Sequence, residues 1–397
     1  MIPQHLLIQG NARRIPLDDE SVHCVVCSPP YWGLRDYKVA GQLGLEPTPD
    51  EYVRQIVMVF GEVRRVLRSD GTAWVNLGDS YAAGKIGRDD SGDNGAFGGP
   101  RIEPVQRKAP PGFKVKDLIG IPWRVALALQ ADRWWLRSDI IWSKPNPMPE
   151  SVTDRPTKSH EYLFLLAKSE RYYFDAEALR EKDSGVGRVR ALQGTKIRAG
   201  AMGRTPSGNE KSGVLWADTG YRNIRTVWSI PTESYPGLHY ATYPRRLVEP
   251  CIKAGTSERG VCPECGAPWE RIVEREEVKL RPKSTSNRGD NPSLNRFICG
   301  NSSRGSMATK TATLGWRPTC SHGGDPVPAT VFDPFVGSGT TLVVATNLGR
   351  HGIGLDLSRQ YLVKNAKRRI ERPHAPVIRA EREDEHLPLF DAITSTP

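Results

Sequence analysis

Seven short runs of β-branched, aromatic and other apolar residues, each closed by turn formers, punctuate the chain: LLIQ from Leu6, VHCVV from Val22, TAWVNL from Thr72, DIIWS from Asp139, YLFLLA from Tyr162, TVFD from Thr330 and HGIGLD from His351. Runs this short and this continuously apolar suit strands buried on both faces. Helical patterns lie between them, over Glu51 to Leu67 and Trp123 to Trp135. Strands alternating with helices predict an α/β protein built on a mostly parallel sheet with helices on both faces.

Three segments break that alternation. Residues 84–114 are too rich in Gly, Pro and charge to pack, and read as a surface loop. Arg180 to Arg225 carries ten basic against four acidic residues, with Trp216 and Tyr221 interleaved. Such a segment suits a nucleic-acid surface. Residues 260–325 hold paired cysteines.

Composition narrows the partners. The 397 residues include 56 Lys plus Arg and 45 Asp plus Glu, a formal charge of +11, which favours a polyanion. No apolar run approaches the roughly 18 residues of a membrane helix, and Met1 to Gln9 is too short for a signal peptide, so a cytoplasmic location with no membrane partner is expected. Seven cysteines in a chain of this size do not form a disulfide framework. Cys24 and Cys27 fall inside an apolar strand and read as core. Cys262-x-x-Cys265 and Cys320-x-His322 instead have the ligand types and spacing of a structural Zn2+ site, a small zinc-ribbon-like insertion, with Cys299 as an alternative to His322.

Two motifs carry chemistry. In ATVFDPFVGSGTTLVVATNLGRHGIGLDLSRQY a strand ends at Asp333, a turn runs through Gly337 and Gly339, a helix starts near Thr340, and the next strand ends at Asp356. This is the layout of a nucleoside-binding βαβ unit, with the acidic residue placed for ribose hydroxyls. The loop reads F-x-G-x-G and not G-x-G-x-x-G, which argues against a dinucleotide. In VVCSPPYWGLRDY, a strand breaks at Ser28-Pro29-Pro30-Tyr31. That turn offers a hydroxyl and carbonyls as acceptors and a flat aromatic face. A planar amine donating its two hydrogens to Ser28 and to the Pro29 carbonyl would aim its lone pair outward, at a methyl donor.

Together these motifs resemble the S-adenosylmethionine-dependent DNA amino-methyltransferases, which carry a D/N/S-P-P-Y/F turn and an F-x-G-x-G loop on one sheet. SPPYW stands before DPFVGSGTT with the basic segment between, an order similar to the permuted β group and to its phage- or prophage-like members. The likeness spans most of Ile2 to Arg369. It implies a Rossmann-like methyltransferase fold divided into a catalytic half (1–179), an inserted target-recognition region (180–235), a cofactor-closing segment (236–259), the zinc insertion (260–325), a cofactor-binding half (326–372) and a tail (373–397).

Residue by residue, the resemblance implies that Ser28, Pro29 and Pro30 hold the amine while Tyr31 stacks on a base flipped out of double-stranded DNA. Asp333, Pro334, Phe335, Gly337, Gly339 and Thr340 would line the S-adenosylmethionine site, with Asp356 on the ribose, and Tyr240 to Pro244, including Thr242, near the methionine moiety. Trp32 walls the base pocket or fills core; Arg35 and Asp36 contact substrate or pair with each other. Serine at the first turn position is commoner in the family with N4 of cytosine as target, aspartate with N6 of adenine, and both amines fit the turn. An amine or amide in RNA or protein is the remaining substrate class. Leu387 to Phe390, in EHLPLFDA, resembles the peptides by which bacterial DNA enzymes bind a replication sliding clamp.

Overall fold

Eight strands form the central sheet in the order β1 (His5–Gln9), β12 (His351–Asp356), β11 (Thr330–Asp333), β2 (Val22–Cys27), β3 (Leu67–Leu77), β5 (His160–Ala167), β4 (Trp135–Ser143) and β8 (Val227–Ser229). The computed structural model describes residues 4–82, 109–182, 221–233, 242–279 and 307–370. All seven predicted strands are in this sheet. From β1 to β3 the strands are parallel; β5 runs antiparallel to both its neighbours, and β8 joins β4 in parallel.

The centre of the sheet is assembled from both ends of the chain. β11 pairs with β2 through Val331 with Cys24 and Phe332 with Val25. From β11 the chain passes through α4 (Thr340–Asn347) to β12 on one side, and from β2 through α1 (Pro49–Val66) to β3 on the other. Connections that diverge from adjacent strands leave a crevice at the strands' carboxyl ends.

Helices cover both faces. α1 starts where the Thr48 hydroxyl accepts the Glu51 N–H at 3.2 Å and Pro49 presets the first turn. Its buried stripe, Tyr52, Ile56, Val59, Phe60, Val63 and Val66, packs with Val22 and Val25 of β2 and with α2 (Ile121–Ala131). α2 has the left-handed Gly120 before it, and the Asp79 carboxylate accepts the N–H groups of Gly120 and Ile121 at 3.0 and 2.9 Å. On the opposite face α3 (Arg245–Gly255) meets Cys24 so closely that a Cβ at Gly255 would lie 2.7 Å from its sulfur. Cys24 and Cys27 are fully buried, as expected of core residues, and burial pushes the Cys24 thiol up to about 12.

A second unit comprises residues 175–225 and 269–319. Within it, β9 (Trp269–Lys279) and β10 (Met307–Pro318) form an antiparallel ribbon, and β6 (Glu181–Lys182) pairs with β7 (Tyr221–Arg222). Arg271 grips the nearly buried Asp175 at 2.9 Å and lies 4.4 Å over the Trp316 ring. The grouping therefore differs from an insertion bounded at 260 and 325: residues 269–319 go with 175–225, whereas the cysteine pairs stay with the sheet. The ribbon was not legible because the apolar–polar alternation of a half-buried strand is absent; WERIVEREEVK sets charges on both faces. The loop at 84–108, most of the basic segment, Tyr240, Cys299 and the Leu387–Phe390 peptide lie outside the described residues.

Candidate active site

The Ser28–Tyr31 turn leaves β2 at the crevice, and two prolines stop it from continuing as a ladder strand. The Tyr52 hydroxyl of α1 donates to the Pro30 carbonyl at 2.9 Å, and the Trp32 indole N–H donates to the Glu46 carbonyl at 2.9 Å. Trp32 is 3% exposed, so it fills core. Asp36 pairs with Lys38 at 3.0 Å.

Tyr31 is fixed from two strands and from its own turn. Its hydroxyl lies 2.6 Å from Glu161 Oε2 on β5 and 3.0 Å from Asn76 Oδ1 on β3, and accepts from Ser28 Oγ at 3.4 Å. One hydroxyl carries one proton, and the shorter contact to the carboxylate marks its recipient. Lys144, just past β4, bonds the other Glu161 oxygen at 2.5 Å. Burial first, and then the Glu161 charge, raise the Tyr31 pKa, so the phenol stays neutral. Gly78 leaves room for the ring: a Cβ there would sit 2.4 Å from Tyr31 Cε2.

On the adjacent strand, Asp333 is 1% exposed and accepts three hydrogen bonds, from Phe335 N at 3.0 Å, Tyr243 Oη at 2.9 Å and Thr341 Oγ1 at 2.7 Å. Burial outweighs these donors and lifts its pKa to about 6. Asp356, at the end of β12, accepts Gly337 N at 3.0 Å and Ser358 N at 2.8 Å, and burial raises its pKa as well. Gly337 and Gly339 have φ of 46° and 80°, conformations that favour glycine. A Cβ on Gly339 would come within 3.0 Å of Ala366 Cα, so this glycine serves close packing of the last helical run.

An open cleft of about 1040 Å³, mouth included, joins the two motifs. Ser28, Pro29, Pro30, Tyr31, Thr242, Pro334, Phe335, Thr340 and Asp356 all line it. Asp333, Gly337 and Gly339 do not: they lie behind the lining and shape it. Sequence reasoning missed Asn76, Lys144 and Glu161. A signal existed for Asn76 and Glu161, polar residues within or beside the apolar runs TAWVNL and YLFLLA. Tyr243 was inside a stretch already assigned to the cofactor.

Cys262, Cys265, Cys320 and His322 also come together, with one ligand atom from each and all four within 4.8 Å of one another. The N–H groups of Cys265 and Glu264 lower the Cys262 thiol to about 6. No helix among the described residues is long and apolar enough to cross a membrane.

A sheet joined from both chain ends, with a proline turn and a glycine loop opening from neighbouring strands into one cleft, defines a methyltransferase-type site. A family model of N6/N4 methyltransferases, described as DNA methylase, matches residues 22–262 and 326–367, and the chain belongs to this family of DNA methyltransferases. It is 37% identical over 369 residues to the type II methyltransferase M.SmaI of Serratia marcescens, covering 92% of this chain and 90% of that protein. Over 256 residues it is 47% identical to the type II methyltransferase M.Cfr9I of Citrobacter freundii, 63% of this chain and 72% of that protein. Among solved structures it is similar to the PvuII DNA methyltransferase (cytosine-N4-specific), at 15% identity and a TM-score of 0.48, over 91% of this chain and 85% of that one.

Proposed function

We propose that this DNA methyltransferase transfers the methyl group of S-adenosylmethionine to the exocyclic N4 amine of a cytosine flipped out of double-stranded DNA. The carrying observation is that Ser28–Tyr31 and the Pro334–Thr340 loop line one cleft from adjacent strands. The cosubstrate is a sulfonium whose methyl carbon is already activated toward nucleophiles. Asp356 would accept from the ribose hydroxyls, and the Phe335 ring would lie against the adenine.

On the other side, the amine would donate one hydrogen to Ser28 Oγ and one to the Pro29 carbonyl. Both acceptors draw electron density onto nitrogen and leave its lone pair facing the methyl carbon. The N–C bond forms as the S–C bond breaks, the bonding pair stays on sulfur, and the extra proton then leaves nitrogen for water. No strongly basic residue is required, and positioning supplies most of the acceleration. Tyr31, held by Glu161 and Asn76, would stack on the base without rotating.

Serine at position 28 supports cytosine as the target. Residues 180–235 would read the DNA sequence, and the kinship with type II enzymes supports a partner restriction nuclease of matching specificity. The test separates cofactor from turnover. Asp356→Ala should weaken S-adenosylmethionine binding at least tenfold, whereas Tyr31→Ala should bind it as wild type does and transfer labelled methyl to plasmid DNA at least a hundredfold more slowly. A Tyr31→Ala enzyme with the wild-type rate would refute the stacking role.

A further inference from the structure

The residues around the two cysteine pairs form a second site that methyl transfer does not use. Gly260 has φ of 115°, and a Cβ there would sit 2.4 Å from the Val327 carbonyl oxygen, so the chain enters this turn through a conformation favouring glycine. Val261 and Val327 then exchange backbone hydrogen bonds of 2.8 and 2.9 Å, bringing the segment after Cys320 alongside the segment before Cys262. Cys262 N donates to the Ala267 carbonyl and Gly266 N to the Cys262 carbonyl, at 2.8 and 2.9 Å. This tight knuckle points both sulfurs of the C-x-x-C inward. His322 Nδ1 lies 3.2 Å from Cys265 Sγ and 3.8 Å from Cys262 Sγ.

A tetrahedral Zn2+ with Zn–S of about 2.3 Å and Zn–N of about 2.0 Å needs ligand atoms about 3.5–3.8 Å apart. Four atoms within 4.8 Å of one another already stand near that geometry. Three thiolates and one imidazole select zinc over magnesium or calcium, which prefer oxygen. We propose that Cys262, Cys265, Cys320 and His322 bind one structural Zn2+ that joins the 260–268 turn to the 320–327 segment at the end of the catalytic sheet remote from the methyl-transfer cleft. On binding, the three thiols give up their protons and the four ligands fill the coordination shell, leaving no position for a reacting water.

The attachment to the sheet is specific. Arg68, at the start of β3, donates to the Cys265 carbonyl at 2.6 Å while its guanidinium is held by Asp70 at 2.9 Å. His23, near the start of β2, accepts the Thr330 N–H of β11 on Nδ1 at 3.0 Å; its hydrogen is therefore on Nε2, which donates to the Gly266 carbonyl at 3.1 Å. The knuckle thus holds the entry ends of the two strands whose exit ends carry Ser28 and Asp333. From His23 to Ser28 is five residues of extended chain, about 17 Å. That separation makes the metal a brace and keeps it out of the chemistry.

The full-length protein, purified under reducing conditions, should contain one zinc per chain by elemental mass spectrometry. Exchange for Co2+ should give the intense visible bands of tetrahedral thiolate ligation. Zinc should fall to background in Cys320→Ser, persist in His322→Cys, which keeps four ligands, and persist in Cys299→Ser. Stripping zinc with a chelator should lower the melting temperature, and adding it back should restore it. Protein that stays metal-free after incubation with zinc, or melts unchanged after complete removal, would overturn the assignment; zinc lost in Cys299→Ser but kept in His322→Ala would overturn the ligand set.

Discussion

Tyr31 Oη donates to Glu161 Oε2 at 2.6 Å across 130 residues of sequence. The bond ties the turn after β2 to β5, two strands away in the sheet, and Lys144 holds the carboxylate from the other side. An aromatic ring that must meet a flipped base is thereby held in one orientation before the base arrives. Charge-assisted hydrogen bonds are each worth about 1.5–3 kcal/mol. Glu161→Gln should therefore lower kcat for methyl transfer roughly tenfold to a hundredfold, with KM for S-adenosylmethionine changed less than about twofold. Equal losses in both would show that the carboxylate supports the cofactor and not the ring.

Gly78 gives the same ring its space. With an added Cβ at 2.4 Å from Tyr31 Cε2, Gly78→Ala must displace the ring or the strand end. A misplacement of about 1 Å commonly costs about a hundredfold in rate. Single-turnover measurements should show that loss while circular dichroism and cofactor binding stay near wild type; an unaffected rate would remove Tyr31 from the list of positioned groups.

Asp333 predicts a stability profile. Burial raises its folded pKa from 3.8 to about 6, so the folded state holds the proton more tightly than the unfolded chain does. The penalty is absent below about pH 4, grows between 4 and 6, and is constant above 6, reaching about 3 kcal/mol. His23, lowered by burial to about 4, acts oppositely: the folded state resists its protonation, and stability is lost as pH falls from 6.5. The contribution of Asp333 is isolated by difference. In urea titrations, Asp333→Asn should gain on wild type by about 3 kcal/mol between pH 4 and 6 and no further above. A difference independent of pH would mean that Asp333 titrates normally.

Gly339 tests the cofactor loop. Its φ of 80° and the 3.0 Å approach to Ala366 both oppose a side chain. Gly339→Ala should cost about 1–3 kcal/mol in thermal unfolding and weaken S-adenosylmethionine binding, because the loop and the last helical run move together. Wild-type stability would show that the loop adapts freely.

Much of this was readable in one dimension. Buried strands such as VHCVV and TVFD are short apolar runs ended by chemistry-bearing turns, and that signal survives any rearrangement of the rest of the chain. The cysteine pairs were legible because metal ligation requires few residue types at close spacing. Glu161, Lys144 and Asn76 were not, because their role depends on which strands become neighbours, and β5 reaches the turn only through antiparallel pairing with β3. Gly337 and Gly339 were expected to line the cofactor site; their positive φ and the approach of Gly339 to Ala366 are three-dimensional facts. β9 and β10 escaped because a two-stranded ribbon with charges on both faces lacks the apolar alternation of a core strand.

The most direct measurement is mass spectrometry of nucleosides from plasmid DNA incubated with the purified protein and S-adenosylmethionine. N4-methylcytosine, absent without enzyme and abolished in Tyr31→Ala, is the predicted result. N6-methyladenine in its place would keep the mechanism and contradict the reading of Ser28, and the absence of any methylated amine from a protein that still binds the cofactor would contradict the central claim.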